Sequence, residues 1–242
     1  MATPSVISAT QVNANAASGT ASVTVPTGCT AAVIQWAHWD NNGGSTLNLA
    51  SCTLPVGASA TAFTTAGTQL AEGAATDESG TGSAYVLNPD VGASKTFAWA
   101  WSAGGARAEG GKIIISWIQD ANTSDFFRAC ANNATTATNN CNVTVASETD
   151  DLLLVMAQSY VTGDPDITGD TNIINNGTQT NEEYDLGTVT PSATSTTVEM
   201  TGEYYSTMTA ITLKATVAGP APTPHSPFGI MFYGPIQRAV MV

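Results

Sequence analysis

Apolar and polar positions alternate along most of this chain with the period of two that marks β-strands, and two short runs break the alternation by being apolar throughout. The first run, DDLLLVMAQSY at residues 150–160, opens on carboxylates and continues with six consecutive apolar residues at 152–157. Six is far below the roughly 20 apolar residues that span a bilayer. The length and bulky content predict a central strand covered on both faces. The second run, KIIISWI at residues 112–118, has the same character, and two such strands predict sheets packed face to face.

Around these runs the β signals are dense. ASVTVPTG alternates through Val23 and Val25 and stops at Pro26 and Gly28, and AAVIQWAHWD follows, ending at NNGGS. The Gly-rich segment at residues 78–83 reads as a turn before AYVLN, which Pro89 closes. KTFAWAWSAGG gives the cleanest alternation, with Phe97, Trp99 and Trp101 on one face and Ala98 and Ala100 on the other. Its aromatics read as core; an open platform for stacking sugar rings is the sharper alternative. CNVTVAS, STTVEM and STMTAITLKAT add further strands, while VTGDPDITGDTNIINNGTQTNEEYDLG reads as loop-rich and acidic. About twelve to fourteen strands without helical periodicity predict an all-β fold. The architecture expected is an antiparallel jelly-roll or lectin-like β-sandwich with extended N- and C-terminal arms. The organisation expected is an arm at 1–18, one sandwich domain at 19–216, and a Pro-rich spacer with a hydrophobic anchor at 217–242.

The last segment differs from everything before it. VAGPAPTPHSP carries Pro220, Pro222, Pro224 and Pro227, a stiff extended spacer. It delivers FGIMFYGPIQRAVMV, where Phe228, Ile230, Met231, Phe232, Tyr233, Ile236, Val240 and Met241 crowd together with Val242. Left in solvent, such a run is an aggregation hazard, so it has to dock. A spacer of this stiffness points to a partner molecule, and these residues are the expected partner-binding set.

Charge narrows the partners. The 242 residues carry 19 acids against 6 bases, a net charge of −13, and only 10% of residues are charged. Lys95, Arg107, Lys112, Arg128, Lys214 and Arg238 are scattered, whereas phosphate-backbone binding needs clustered cations. Nucleic acid and anionic membranes are therefore not expected partners. The N-terminus has neither a basic region nor an apolar core of the secretory type, which implies synthesis in the cytoplasm.

Little in the sequence carries chemistry. The two histidines are His38, inside WAHWD on an expected strand, and His225, in the spacer. No GxSxG, HExxH, P-loop or GxGxxG motif occurs, which argues against triad and zinc hydrolysis, and no cofactor is expected. Cys29, Cys52, Cys130 and Cys141 form no C-x-x-C pair. They read as buried thiols or, alternatively, as a Cys130–Cys141 bridge closing the loop ANNATTATNN. Asp164, Asp166 and Asp170 in GDPDITGD offer hard oxygen ligands on a turning loop, a calcium candidate whose spacing does not match an EF-hand. Glycoside hydrolysis needs paired carboxylates, and Glu72, Asp77 and Glu78, or Glu182, Glu183 and Asp185, can be nominated on equal grounds; solvated loop acids are the better description of both sets.

SVTVPTGCTAAVIQWAHWD, QLAEGAATDESGTGSAYVLNP, FAWAWSAGGARAEGG, SETDDLLLVMAQSY and EYYSTMTAITLKA, spread over residues 19–216, together resemble a family of β-sandwich structural proteins of tailed bacteriophages. The resemblance implies a virion component of capsid decoration, head-fibre or tail-associated type, with the major capsid protein or another virion protein as partner. It carries over no catalytic residue. Closed symmetric oligomers are common among such proteins, and a trimer is the working expectation. The alternative reading is a virion adhesin binding a host surface glycan through a tryptophan among Trp36, Trp39, Trp99, Trp101 and Trp117; a glycoside hydrolase is the third.

Overall fold

The structure is a computed structural model and describes residues 3–40, 49–56, 59–62, 64–65, 78–101, 110–135, 141–160, 165–179, 182–192, 194–201 and 204–215. The described residues form seventeen strands and no helix. The first nine are β1 (Ser5–Asn13), β2 (Ser18–Val25), β3 (Ala31–Asp40), β4 (Leu49–Val56), β5 (Ser59–Ala62), β6 (Thr64–Thr65), β7 (Glu78–Leu87), β8 (Gly92–Trp101) and β9 (Gly110–Gln119). The remaining eight are β10 (Phe127–Thr135), β11 (Cys141–Ser147), β12 (Leu152–Tyr160), β13 (Asp166–Ile167), β14 (Asp170–Gln179), β15 (Glu182–Val189), β16 (Thr194–Thr201) and β17 (Tyr204–Leu213).

Four antiparallel sheets result. The first half supplies β1-β9-β3-β7-β6 and β2-β8-β4-β5, and the second half supplies β10-β17-β12-β15-β14 and β11-β16-β13. Each half closes its two sheets on a core of its own. One core gathers Val23, Ile34, Trp36, Phe97, Ile115 and Trp117, and the other Val143, Val145, Leu153, Val155, Met200 and Met208. A third apolar layer, with Val33, Ile118, Leu154 and Ile211 at one end and Ala37, Ile114, Met156 and Leu186 at the other, joins the halves. The chain is thus an antiparallel β-sandwich twice over, stacked as four sheets.

The layering explains the two apolar runs. In β12 the odd positions Leu153, Val155 and Ala157 enter the second core while Leu154 and Met156 enter the layer between halves. In β9, Ile113, Ile115 and Trp117 face one way and Ile114 and Ile118 the other. Strands on an outer sheet keep the alternation instead: Cys141, Val143, Val145 and Ser147 of β11 are buried, and Asn142, Thr144 and Ala146 between them are exposed. Phe97, Trp99 and Trp101 of β8 are likewise core.

Three expectations are corrected. Residues 1–18 are not a free arm, because Ser5 to Asn13 pair with β9 from Gln119 to Lys112. The acidic stretch after Tyr160 is not simply loop, since β13, β14 and most of β15 come from it. The Gly-rich segment at 78–83 is not a turn but the first part of β7. Its glycines seat large rings: Gly82 pairs with Trp36 and Gly80 with His38, and a Cβ on Gly82 would lie 2.2 Å from the indole. An aromatic lying across a cross-strand glycine covers backbone that would otherwise be bare, so the composition of a turn here encodes a strand. The C-terminal segment, residues 216–242, lies outside the described residues.

Candidate functional site

The residues expected to bind a partner, Phe228 through Met241, lie outside the described residues, and so does Asp164. What the fold does show is where and how the chain is held just before that segment. Leu213, the last residue of β17, pairs with Phe127 on one side and Leu152 on the other, so the chain leaves the sheet from a central strand between two neighbours.

Beyond Leu213 the backbone is pinned twice. Lys214 N–H donates to the Phe126 carbonyl at 2.8 Å, and Ala215 N–H donates to Asp151 Oδ1 at 3.2 Å. The Lys214 ammonium also reaches Asp125 Oδ1 at 2.6 Å. Asp151 is the centre of this clamp, its side chain 1% exposed. Its carboxylate accepts hydrogen bonds from Arg128 Nε, from Arg128 Nη2 at 3.2 Å and from Glu148 N–H at 2.8 Å. Arg128 in turn bonds Glu148 Oε1 at 2.8 Å. One buried carboxylate therefore ties β10, the turn before β12 and the outgoing chain together, a charge-assisted network with both oxygens used. Acidic residues before LLLVMA were visible in the sequence; that Asp151 turns inward to meet an arginine 23 positions earlier was not.

Beside the clamp, a groove of about 320 Å³ runs between Pro4 to Val6 at the start of β1, Leu152 of β12, Thr171 to Ile173 of β14, and Thr188 of β15. No carboxylate, histidine or thiol lines it.

The remaining candidates are dispersed or sealed. Trp36, Trp99, Trp101 and Trp117 are all buried, and the Trp39 side chain lies outside the described residues. His38 is fully buried beside Trp101, ring centroids 5.5 Å apart, and burial pushes its pKa down to about 3 against a hydrogen bond to the Gly80 backbone. All four cysteines are thiols, so Cys130 and Cys141 are not bridged: Cys130 shares a 3.2 Å hydrogen bond with Ser83 Oγ across the layer between halves, and Cys141 faces the second core. Burial pushes both thiols up to about 11, which leaves little thiolate at neutral pH.

Of the acids, Glu72 and Asp77, and the side chains of Glu78 and Glu182, lie outside the described residues. Asp166 and Asp170 sit at β13 and at the start of β14, and β15 brings Asp185 toward them. Asp185 is buried under β13 with Oδ2 accepting from Ile167 N–H at 3.3 Å. Its pKa is pushed up to about 7 by burial first, then by the Asp170 and Asp166 carboxylates, against backbone hydrogen bonds from Ile167 and Leu186. Asp170 packs so closely over Gly187 that a Cβ there would meet its carboxylate at 1.7 Å. Among the described residues, no three His, Cys, Asp or Glu side chains are arranged to hold a metal ion. Nor is any helix among them long and apolar enough to cross a membrane.

Set against known proteins, the chain matches no protein-family model, no curated protein and no solved structure.

Proposed function

We propose that the chain is a non-enzymatic structural component of a bacteriophage particle, of capsid decoration or head-fibre kind, attached through its apolar C-terminal segment. The observation that carries this reading is the contrast at residue 215. Up to that point the chain leaving β17 is clamped by Asp151 and its partners; beyond it the sequence turns to a Pro-rich spacer and a dense apolar run. An apolar run held at the end of a stiff spacer is suited to groove docking or strand addition on a second molecule. The N-terminal segment supports no such role, since residues 5–13 are already committed to a sheet.

Support for a non-catalytic role comes from the sealed state of the reactive groups. The described histidine is buried, the thiols are raised, and the groove beside the clamp lacks acid or base. For the adhesin reading, the four described indoles are core and offer no open stacking face. Of the acids that the glycosidase reading names, Asp185 is buried inside a sandwich and not set in an open groove. The partner we propose is the major capsid protein or another virion protein, bound by a homo-oligomer of this chain.

Deleting residues 219–242 is expected to leave a chain with unchanged far-UV circular dichroism that no longer co-sediments with density-purified particles. Retention of the truncated chain on particles at the level of the full chain contradicts the proposal.

A further inference from the structure

Each half of the chain repeats the other strand for strand. Matching β1, β2, β3 and β4 with β10, β11, β12 and β13, and β6 to β9 with β14 to β17, converts β1-β9-β3-β7-β6 into β10-β17-β12-β15-β14 and β2-β8-β4 into β11-β16-β13. Only β5 has no counterpart among the described residues. Strand order alone can arise twice independently, so local details decide.

Three such details recur at matching places. The edge strands β1 and β10 each break register near their start, between Val6 and Ser8 and between Phe127 and Ala129, opposite the ends of β9 and β17. The tetrapeptides Ser22-Val23-Thr24-Val25 and Asn142-Val143-Thr144-Val145 lie in β2 and β11, with both valines buried in each unit's core. The turns after β7 and β15 share one spacing: strand end at Leu87 or Val189, proline at 89 or 191, next strand at Gly92 or Thr194. Bulges and turn prolines are position-specific devices, and no requirement of a sandwich places them alike in two halves.

The layer between the halves differs in chemistry from the two cores. Its middle is polar: Gln35, Thr81, Ser83, Ser116, Thr207 and Thr209 are buried there on the faces that alternation turns away from each core. Some of these groups meet across the layer, with Thr81 and Thr209 hydroxyls at 2.8 Å and Gln158 Nε2 donating to the His38 carbonyl at 3.0 Å. Buried hydrogen bonds that run from one half to the other, between apolar clusters at either end, are contacts that an interface between two folded units carries.

We infer that the chain is one eight-stranded sandwich unit duplicated in tandem, and that the seam between its halves is a self-association surface whose partner is the second copy of the unit. Residues 120–126 link the halves, with Ala121 and Phe126 packed into the seam itself, and the seam holds without an unbroken chain between Thr123 and Ser124.

The test is to insert a protease site between Thr123 and Ser124 in the full chain and cut it. The expected cut protein keeps the mass of the uncut chain under native conditions at micromolar concentration. Its two fragments, parted in denaturant, are expected to recombine one to one when it is removed. Fragments that part without denaturant, or never recombine, overturn the inference. Hydrogen exchange on the unmodified chain gives a check that no insertion can spoil. Amides of β1–β9 and of β10–β17 are expected to open as two sets with separate denaturant dependence, and a single opening of both sets together overturns the inference as well.

Discussion

Replacing Asp185 with Asn is expected to raise folding stability at pH 8 by about 2 to 4 kcal/mol and to change it little at pH 4. The direction follows from the sign of the shift. The folded carboxyl titrates near 7, against an ordinary value of 3.8, so the folded state holds a proton that the unfolded chain releases. The stabilisation is fully present below pH 3.8 and is lost as pH rises through about 7. A shift of about three units sets a ceiling near 4 kcal/mol. Asparagine keeps the shape and cannot ionise, so it removes the alkaline penalty without opening a cavity. His38 works in the opposite sense: its folded pKa near 3 lies below the ordinary 6.5, so its stabilisation is present above pH 6.5 and is lost as pH falls toward 3. The two slopes oppose each other between about pH 4 and 6.5 in the natural chain. In the Asp185→Asn variant the histidine slope is expected to stand alone. Urea unfolding at several pH values reads both effects, and a difference between the two proteins that is constant with pH contradicts the assignment.

Asp151→Ala is expected to cost about 3 kcal/mol at pH 7, at the low end of the range for breaking a buried pair because Arg128 retains some contact with water. The loss combines two arginine hydrogen bonds with the Glu148 and Ala215 backbone N–H groups left without their acceptor. Glu148→Gln, which removes only the exposed partner of Arg128, is expected to cost under about 1 kcal/mol. The Ala215 amide is expected to lose protection from exchange in the first variant and to keep it in the second. Equal effects of the two substitutions would show that the arginine pair, and not the buried carboxylate, holds the outgoing chain.

Much of the fold was legible because burial on two faces and burial on one face leave different patterns. Residues 152–157 and 113–118 announced central strands, and the FAWAW alternation announced a core face; all three lie where those patterns put them. The misreadings share a cause. Gly80 and Gly82 look like turn residues until Trp36 and His38 are known to lie across them, and that information sits more than forty positions away. The N-terminal strand is polar on its exposed positions and, Val12 apart, only partly buried elsewhere, so little in residues 5–13 distinguishes a sheet edge from a tail. The inferred repeat is faint in the sequence because it survives in strand order, a bulge, a turn proline and a Val-Thr-Val triplet. At the candidate site the apolar terminal run was plain from composition, whereas the Asp151 clamp depends on long-range pairing that no local pattern reveals.

The terminal apolar run is proposed to grip another molecule. A photo-crosslinking residue placed at Phe232 in the assembled particle tests it most directly. Crosslinks from position 232 to a second polypeptide are the expected result; crosslinks confined to strands of the same chain would contradict it.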